Sequence, residues 1–224
     1  MDAVVFDLDG VLVDSERTWD EVRRAVVAGH GGQWTASATR AMQGMSTPEW
    51  ARYLVDELGA RLTPERIAEV VIDEMAKRYA GGPPVLPGAA ETVRAVAERC
   101  PVAIASSSPP VLIAAFLDAT DLTKVVAITV SSEQVAAGKP APDVYLKAAE
   151  LLGTPPRGCA AVEDTTNGMR SALAAGMTVY AVPNPHFPPD PAVLGEVPFV
   201  LDDIRDLPGA LDQPGSPGET RPDS

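Results

Sequence analysis

The run Val4-Val5-Phe6 is apolar, too short for a helix, and stops at Asp7-Leu8-Asp9-Gly10. Short apolar runs bounded by turn residues read as buried strands. A buried strand that ends on two aspartates narrows the choice of fold, because carboxylates at the edge of a core are costly unless a cation or hydrogen-bond donors meet them. A divalent metal is one such partner, since hard cations take carboxylate and carbonyl oxygens. An ordinary acidic turn is the other reading.

Along the chain the texture changes twice. After Val11-Leu12-Val13, expected to continue as an extended flap, Asp14 or Ser15 is placed to cap a helix. From Glu16 to about Arg78 the apolar residues recur at helical spacing, as in Trp19, Val22 and Val26 or Ile67, Val71 and Met75. No strand is expected there. Gly81-Gly82-Pro83-Pro84 marks a linker. Beyond it, apolar runs at 102–105, 125–130, 160–162, 179–182 and 199–201 alternate with helical stretches. That alternation predicts an α/β fold, a Rossmann-like doubly wound parallel sheet. The expected organisation is a catalytic core over 1–14 and 85–212, an all-helical cap inserted at 15–84, and a disordered tail at 213–224 rich in Pro and Gly. Two linkers flanking an insertion have the anatomy of a lid.

Composition limits the partners. Eighteen Lys and Arg against 31 Asp and Glu leave a net charge of -13, which disfavours nucleic acid and anionic membranes. An anionic substrate must then be held locally. Cys100 and Cys159 form no disulfide framework and are read as buried thiols. Asp2 follows Met1 and Asp7 interrupts the first apolar run, so neither a signal peptide nor a membrane span is expected, and the protein is expected to be cytoplasmic. His30 and His186 are given no role and are placed in solvated loops.

In an open α/β sheet, ligands bind beyond the carboxyl ends of the strands. Here those ends carry Asp7 and Asp9, Ser106 with Ser107, Lys139 between Gly138 and Pro140, and Glu163-Asp164. Singly these are turn, cap and surface residues; together they fit phosphoryl transfer. Asp7 is suited to attack phosphorus as a carboxylate nucleophile, and Asp9 to exchange the proton with the leaving oxygen and then with water. Asp7, the Asp9 carbonyl, Asp164 and Glu163, the last directly or through water, are the expected ligands of Mg²⁺. Ser106, Ser107 and Lys139 are expected to hold phosphoryl oxygens.

The set Asp7-Leu8-Asp9-Gly10-Val11-Leu12-Val13-Asp14-Ser15-Glu16, Ser106-Ser107-Ser108, Gly138-Lys139-Pro140-Ala141-Pro142-Asp143, Val162-Glu163-Asp164-Thr165, Asn167-Gly168 and Ala174-Ala175-Gly176-Met177 resembles the haloacid dehalogenase superfamily. The resemblance is to its β-phosphoglucomutase-like and phosphatase branch, whose cap is helical. It implies a Rossmann-like core, a cap after the first strand, Mg²⁺ and a phosphoaspartate intermediate. Asp7 falls on the nucleophile, Asp9 on the acid/base, Ser106 and Lys139 on the phosphate-binding residues, and Glu163 with Asp164 on the metal-binding acids.

Departures from the family pattern narrow the activity. The dehalogenases lack the second aspartate, and Asp9 is present. Sugar phosphomutases carry a cap histidine where Trp19 stands, and a cap arginine whose equivalent is sought in Gly44-Met45-Ser46-Thr47-Pro48, where there is none. The phosphonatase branch needs a cap lysine, and the insertion has none before Lys77 near the hinge. The expected activity is a Mg²⁺-dependent phosphatase for a small phosphorylated metabolite of sugar or polyol type. A β-phosphoglucomutase-type mutase is the alternative within catalysis, and a non-catalytic metabolite-binding regulator the alternative outside it. Trp19, Arg23, Met45, Ser46 and Lys77 are the candidates for substrate specificity. A monomer is expected, with a dimer as the alternative.

Overall fold

The computed structural model describes residues 1–42, 45–185 and 187–213. Its strands are β1 (Ala3–Phe6), β2 (Val102–Ser106), β3 (Ile128–Ser131), β4 (Cys159–Glu163), β5 (Thr178–Ala181) and β6 (Phe199–Val200). All pair in parallel, in the order β3-β2-β1-β4-β5-β6, so β1 is central, with Val5 opposite Ala103 on one side and Ala161 on the other. A parallel strand covered on both faces must be apolar throughout, and every residue of β1 is buried. Alternate side chains divide the core into two layers. Val4 and Phe6 join Ile104, Val162 and Tyr180 on one face. Ala3 and Val5 join Ala103, Ala105 and Ala161 on the other.

Between β1 and β2 stand α1 (Glu16–Gly29), α2 (Ala38–Met42), α3 (Thr47–Asp56), α4 (Pro64–Tyr79) and then α5 (Ala89–Ala97). After them come α6 (Pro110–Ala119), α7 (Asp143–Leu152), α8 (Thr166–Ala174) and the short α9 (Pro191–Leu194) and α10 (Leu207–Ala210). Small residues on the second sheet face let α7 and α8 approach closely, through Val144, Tyr145 and Ala148 and through Met169 and Ala172. Helix α4 buries Ile67, Val71 and Met75, a single stripe at four-residue spacing. Its start is set by Thr63, whose hydroxyl accepts from the Arg66 amide at 3.3 Å, and by Pro64 in the first turn. The two chain crossings into and out of the helical segment bond to each other: the Asp14 amide donates to Pro84 O at 2.8 Å and the Leu86 amide to Leu12 O at 2.9 Å.

Several local expectations change. Val11-Leu12-Val13 is a tight turn, with the Leu12 and Val13 amides both donating to Leu8 O and the Gly10 amide to Val13 O. The apolar run curls because its side chains are buried in the core that joins the sheet to the inserted helices. The run at 125–130 pairs only from Ile128, because the Val125 and Val126 amides turn back to Leu122 O. Cys159 is buried, whereas Cys100 is only partly so. His30 is half-exposed in the turn that ends α1, where its Nδ1–H donates to Val26 O at 2.8 Å. His186 and all but the first residue of the proposed tail lie outside the described residues. No described helix is long and apolar enough to cross a membrane.

Candidate active site

Parallel pairing brings the ends of β1, β2 and β4 to one edge of the sheet. The Asp7 amide donates to Val162 O at 2.9 Å, which fixes the position from which its side chain projects. Lys139 reaches in from the loop before α7. Its Nζ donates to Asp7 Oδ1 at 2.6 Å, to Glu163 Oε1 at 2.6 Å and to Ala105 O at 3.2 Å. It also lies 5.1 Å from the Tyr145 ring centroid. Tyr145 donates its hydroxyl to Glu163 Oε1 at 2.6 Å, and the Asp164 amide donates to Glu163 Oε2 at 3.2 Å. All of these groups are buried.

This arrangement is short of positive charge. Asp7, Glu163 and Asp164 offer carboxylate oxygens within 4.8 Å of one another, against one ammonium. Burial pushes the Asp7 carboxyl well above the usual range in spite of Lys139, and Glu163 and Asp9 push it further. Burial raises Asp164 as well, followed by repulsion from Glu163 and Asp7. Burial disfavours the charge on Lys139, but Asp7 and Glu163 more than compensate and hold it firmly protonated. Oδ1 of Asp164 is buried with no hydrogen-bond partner among the described residues. A buried, unpartnered oxygen beside crowded carboxylates fits a hard divalent cation, which takes oxygen ligands and supplies the missing charge. Two glycines keep the acids in place. A Cβ on Gly10 would fall 1.9 Å from Asp164 Oδ2, and one on Gly168 would fall 2.0 Å from the Glu163 carboxylate.

Asp9 sits on the turn after β1 and is held from four sides. Oδ1 accepts from the Ser15 hydroxyl and from Trp19 Nε1 at 3.1 Å. Oδ2 accepts from Ser108 Oγ at 2.6 Å and Ser106 Oγ at 3.3 Å. Ser15 stands at the start of α1, but its hydroxyl serves Asp9 and makes no cap bond.

A cavity of about 50 Å³ lies over these groups. Its floor is Asp7, Asp9, Ser107, Ser108, Lys139 and Thr165, and its roof, from the inserted helices, is Glu16, Trp19, Arg23, Met42, Met45 and Trp50. Glu16 is pushed up to about 7, first by burial and then by Asp9, while Arg23 draws it down. Burial lowers Arg23 to about 10, opposed by Glu16 and Asp9.

The structure thus brings Asp7, Asp9, Ser106, Ser107, Lys139, Glu163 and Asp164 together, with Trp19, Arg23 and Met45 above them. Ser46 does not line the cavity. It starts α3, where its amide donates to Glu49 Oε2 at 2.8 Å, and it packs against Gly138 beside Lys139. Lys77 is a correction: it lies on the exposed side of α4, paired with Glu74 at 2.5 Å, because the buried stripe of that helix runs through Met75. Sequence reasoning passed over Glu16, Trp50, Ser108, Tyr145 and Thr165 as site residues. Ser108 and Thr165 adjoin residues already singled out, and Glu16 ends the first motif. Trp50 and Tyr145 carry the ordinary pattern of core residues on a helix.

The model of the haloacid dehalogenase-like hydrolases matches residues 1–176. The chain belongs to this family. Among its relatives is hexitol phosphatase B of Escherichia coli K12, 32% identical over 210 residues that cover 91% of this chain and 90% of that one. A phosphorylated carbohydrates phosphatase of Thermotoga maritima is 31% identical over 184 residues, covering 81% and 85%. A solved family hydrolase of Deinococcus radiodurans with bound phosphate and sodium is 31% identical, with a TM-score of 0.66 over 94% of this chain and 95% of that one. The chain is an enzyme, a phosphoric monoester hydrolase of this family.

Proposed function

We propose that the protein hydrolyses a small phosphate monoester of a sugar or polyol, with Mg²⁺, through an aspartyl phosphate on Asp7. The observation that carries this reading is the pairing of two carboxylates in different settings on one turn. Asp7 lies in the buried charged cluster with Lys139, and Asp9 lies in a cage of hydroxyl and indole donors facing the same cavity. Asp7, whose charge Lys139 offsets, suits the attack, and Asp9, surrounded by donors that can turn to the phosphoryl group, suits the proton transfer.

Asp7 attacks phosphorus: a bond forms from its carboxylate oxygen, and the ester bond to the leaving oxygen breaks. Protonated Asp9 gives its proton to that oxygen, so an alcohol departs. Asp9 then takes a proton from water as the water oxygen attacks phosphorus, and Asp7 is released with inorganic phosphate. The Ser106 and Ser108 hydroxyls donate to Asp9 Oδ2. Turning them to phosphoryl oxygens frees Oδ2 for the proton. Lys139 offsets the charge of Asp7 as an anionic ester approaches. Asp7, Asp164, Glu163 and the Asp9 carbonyl are the residues to hold Mg²⁺, which when bound neutralises charge on the nucleophile and the phosphoryl oxygens.

The two phosphatase relatives favour a carbohydrate leaving group. The test is phosphate release across hexitol, hexose and pentose phosphates, in Mg²⁺ and in chelator. Release that requires Mg²⁺ supports the reading. Conversion of glucose 1-phosphate to an isomer without release, or tight binding without turnover, would overturn it.

A further inference from the structure

The roof of the cavity carries a cation that the phosphate chemistry does not use. The Arg23 guanidinium carbon lies 4.6 Å from the Trp19 ring centroid and 4.9 Å from that of Trp50. The two indoles are themselves 6.1 Å apart and tilted by 57°. Arg23 Nε is buried and has no hydrogen-bond partner, and no ion pair holds the guanidinium among the described residues. Two aromatic rings therefore hold a charged fork with no hydrogen bond to the described residues at the wall of the cavity. On the same wall stands Glu16, an acceptor.

We infer that Arg23, held by Trp19 and Trp50, is the specificity-determining residue of the cavity, reading adjacent hydroxyls of a polyol leaving group together with Glu16. The inference rests on the proposed phosphatase reading and deepens it. A guanidinium donates and a carboxylate accepts, so the pair matches neighbouring hydroxyls, each of which does both. A second anionic group is disfavoured: Asp7, Asp9 and Glu16 already line the cavity against Lys139 and Arg23 alone among its lining cations. Trp19 also couples the two ends of the site, since the indole that stacks on Arg23 donates to Asp9.

The test compares hexitol 6-phosphate with propyl phosphate. Both leave as alkoxides and need the same proton from Asp9, but propyl phosphate has no hydroxyls to read. In Arg23→Gln and Arg23→Lys, the fall in kcat/KM on the hexitol ester is expected to exceed that on the propyl ester by at least ~10-fold, chiefly in KM. Equal losses on both esters would make Arg23 merely structural and overturn the inference. So would a loss confined to substrates with a second anion, such as a sugar bisphosphate.

A binding measurement stands apart from turnover. Two of the three tryptophans flank Arg23, so unphosphorylated hexitol is expected to shift tryptophan emission in the wild-type protein and not in Arg23→Gln. If the wild-type protein releases phosphate from neither ester, the phosphatase reading fails, and this titration decides the inference alone. No shift in the wild-type protein, or the same shift in the variant, would overturn it.

Discussion

Lys139 shows how much one side chain can carry. It is buried and bonded to two carboxylates at 2.6 Å each. Removing one partner of a buried ion pair leaves the other charge uncompensated. Lys139→Met therefore strands Asp7 and Glu163 beside Asp164, and is expected to cost about 3–5 kcal/mol at neutral pH without metal. The fall in the urea midpoint reads that cost, and Mg²⁺ should recover part of it by binding the folded state; an unchanged midpoint would contradict the charge ledger given for the site. In the sequence, Lys139 stood out by its company: alone it reads as a solvated surface lysine, but it follows a strand whose neighbours end in Asp7, Asp9 and Glu163-Asp164. Tyr145, its neighbour in the fold, did not, since an aromatic on the apolar stripe of α7 is normally core. Its hydroxyl contact with Glu163 exists only once α7 lies on the sheet.

At the scale of elements, the strand–helix alternation was legible because apolar periodicity reports it directly. The turn after β1 was not. Val11, Leu12 and Val13 have strand propensities, and only packing against the inserted helices makes them curl. Gly10 permits that curl with φ +84°, a left-handed conformation that side chains rarely adopt. A Cβ there would also displace Asp164. Gly10→Ala is therefore expected to weaken Mg²⁺ activation by ~10-fold or more, through a misplaced ligand. Gly81→Ala, at the other crossing, meets nothing closer than 3.5 Å and should change little. Titrating phosphate release with Mg²⁺ separates the two; equal curves would contradict the role given to Gly10. Lys77 is near the hinge in sequence, but helix phase turns it to solvent.

Across the whole molecule, the site stores unfavourable charge that the fold tolerates. Glu16 is raised from the ordinary carboxylate value of 4.5 to about 7. The native state then binds more protons than the unfolded chain between those values, so stability falls as pH rises through that window. Asp7 and Asp164 are raised in the same direction. The metal-free protein is expected to have a higher urea midpoint at pH 5 than at pH 8. Glu16→Gln removes one contributor and should flatten the difference; a steeper dependence in that variant would contradict the assignment. The cavity explains why the sequence named the core acids more readily than the roof. The acids come from strand ends that any open sheet gathers at one edge, whereas Trp50 of α3 meets Trp19 and Arg23 of α1 only in the folded chain.

The proposed mechanism turns on covalent phosphorylation of Asp7. Rapid quenching during turnover of hexitol 6-phosphate with Mg²⁺, followed by borohydride reduction and peptide mass analysis, tests it most directly. Homoserine is expected in place of Asp7, dependent on substrate and absent in Asp7→Asn. Reduction at another residue, or none at Asp7 while phosphate is being released, would contradict it.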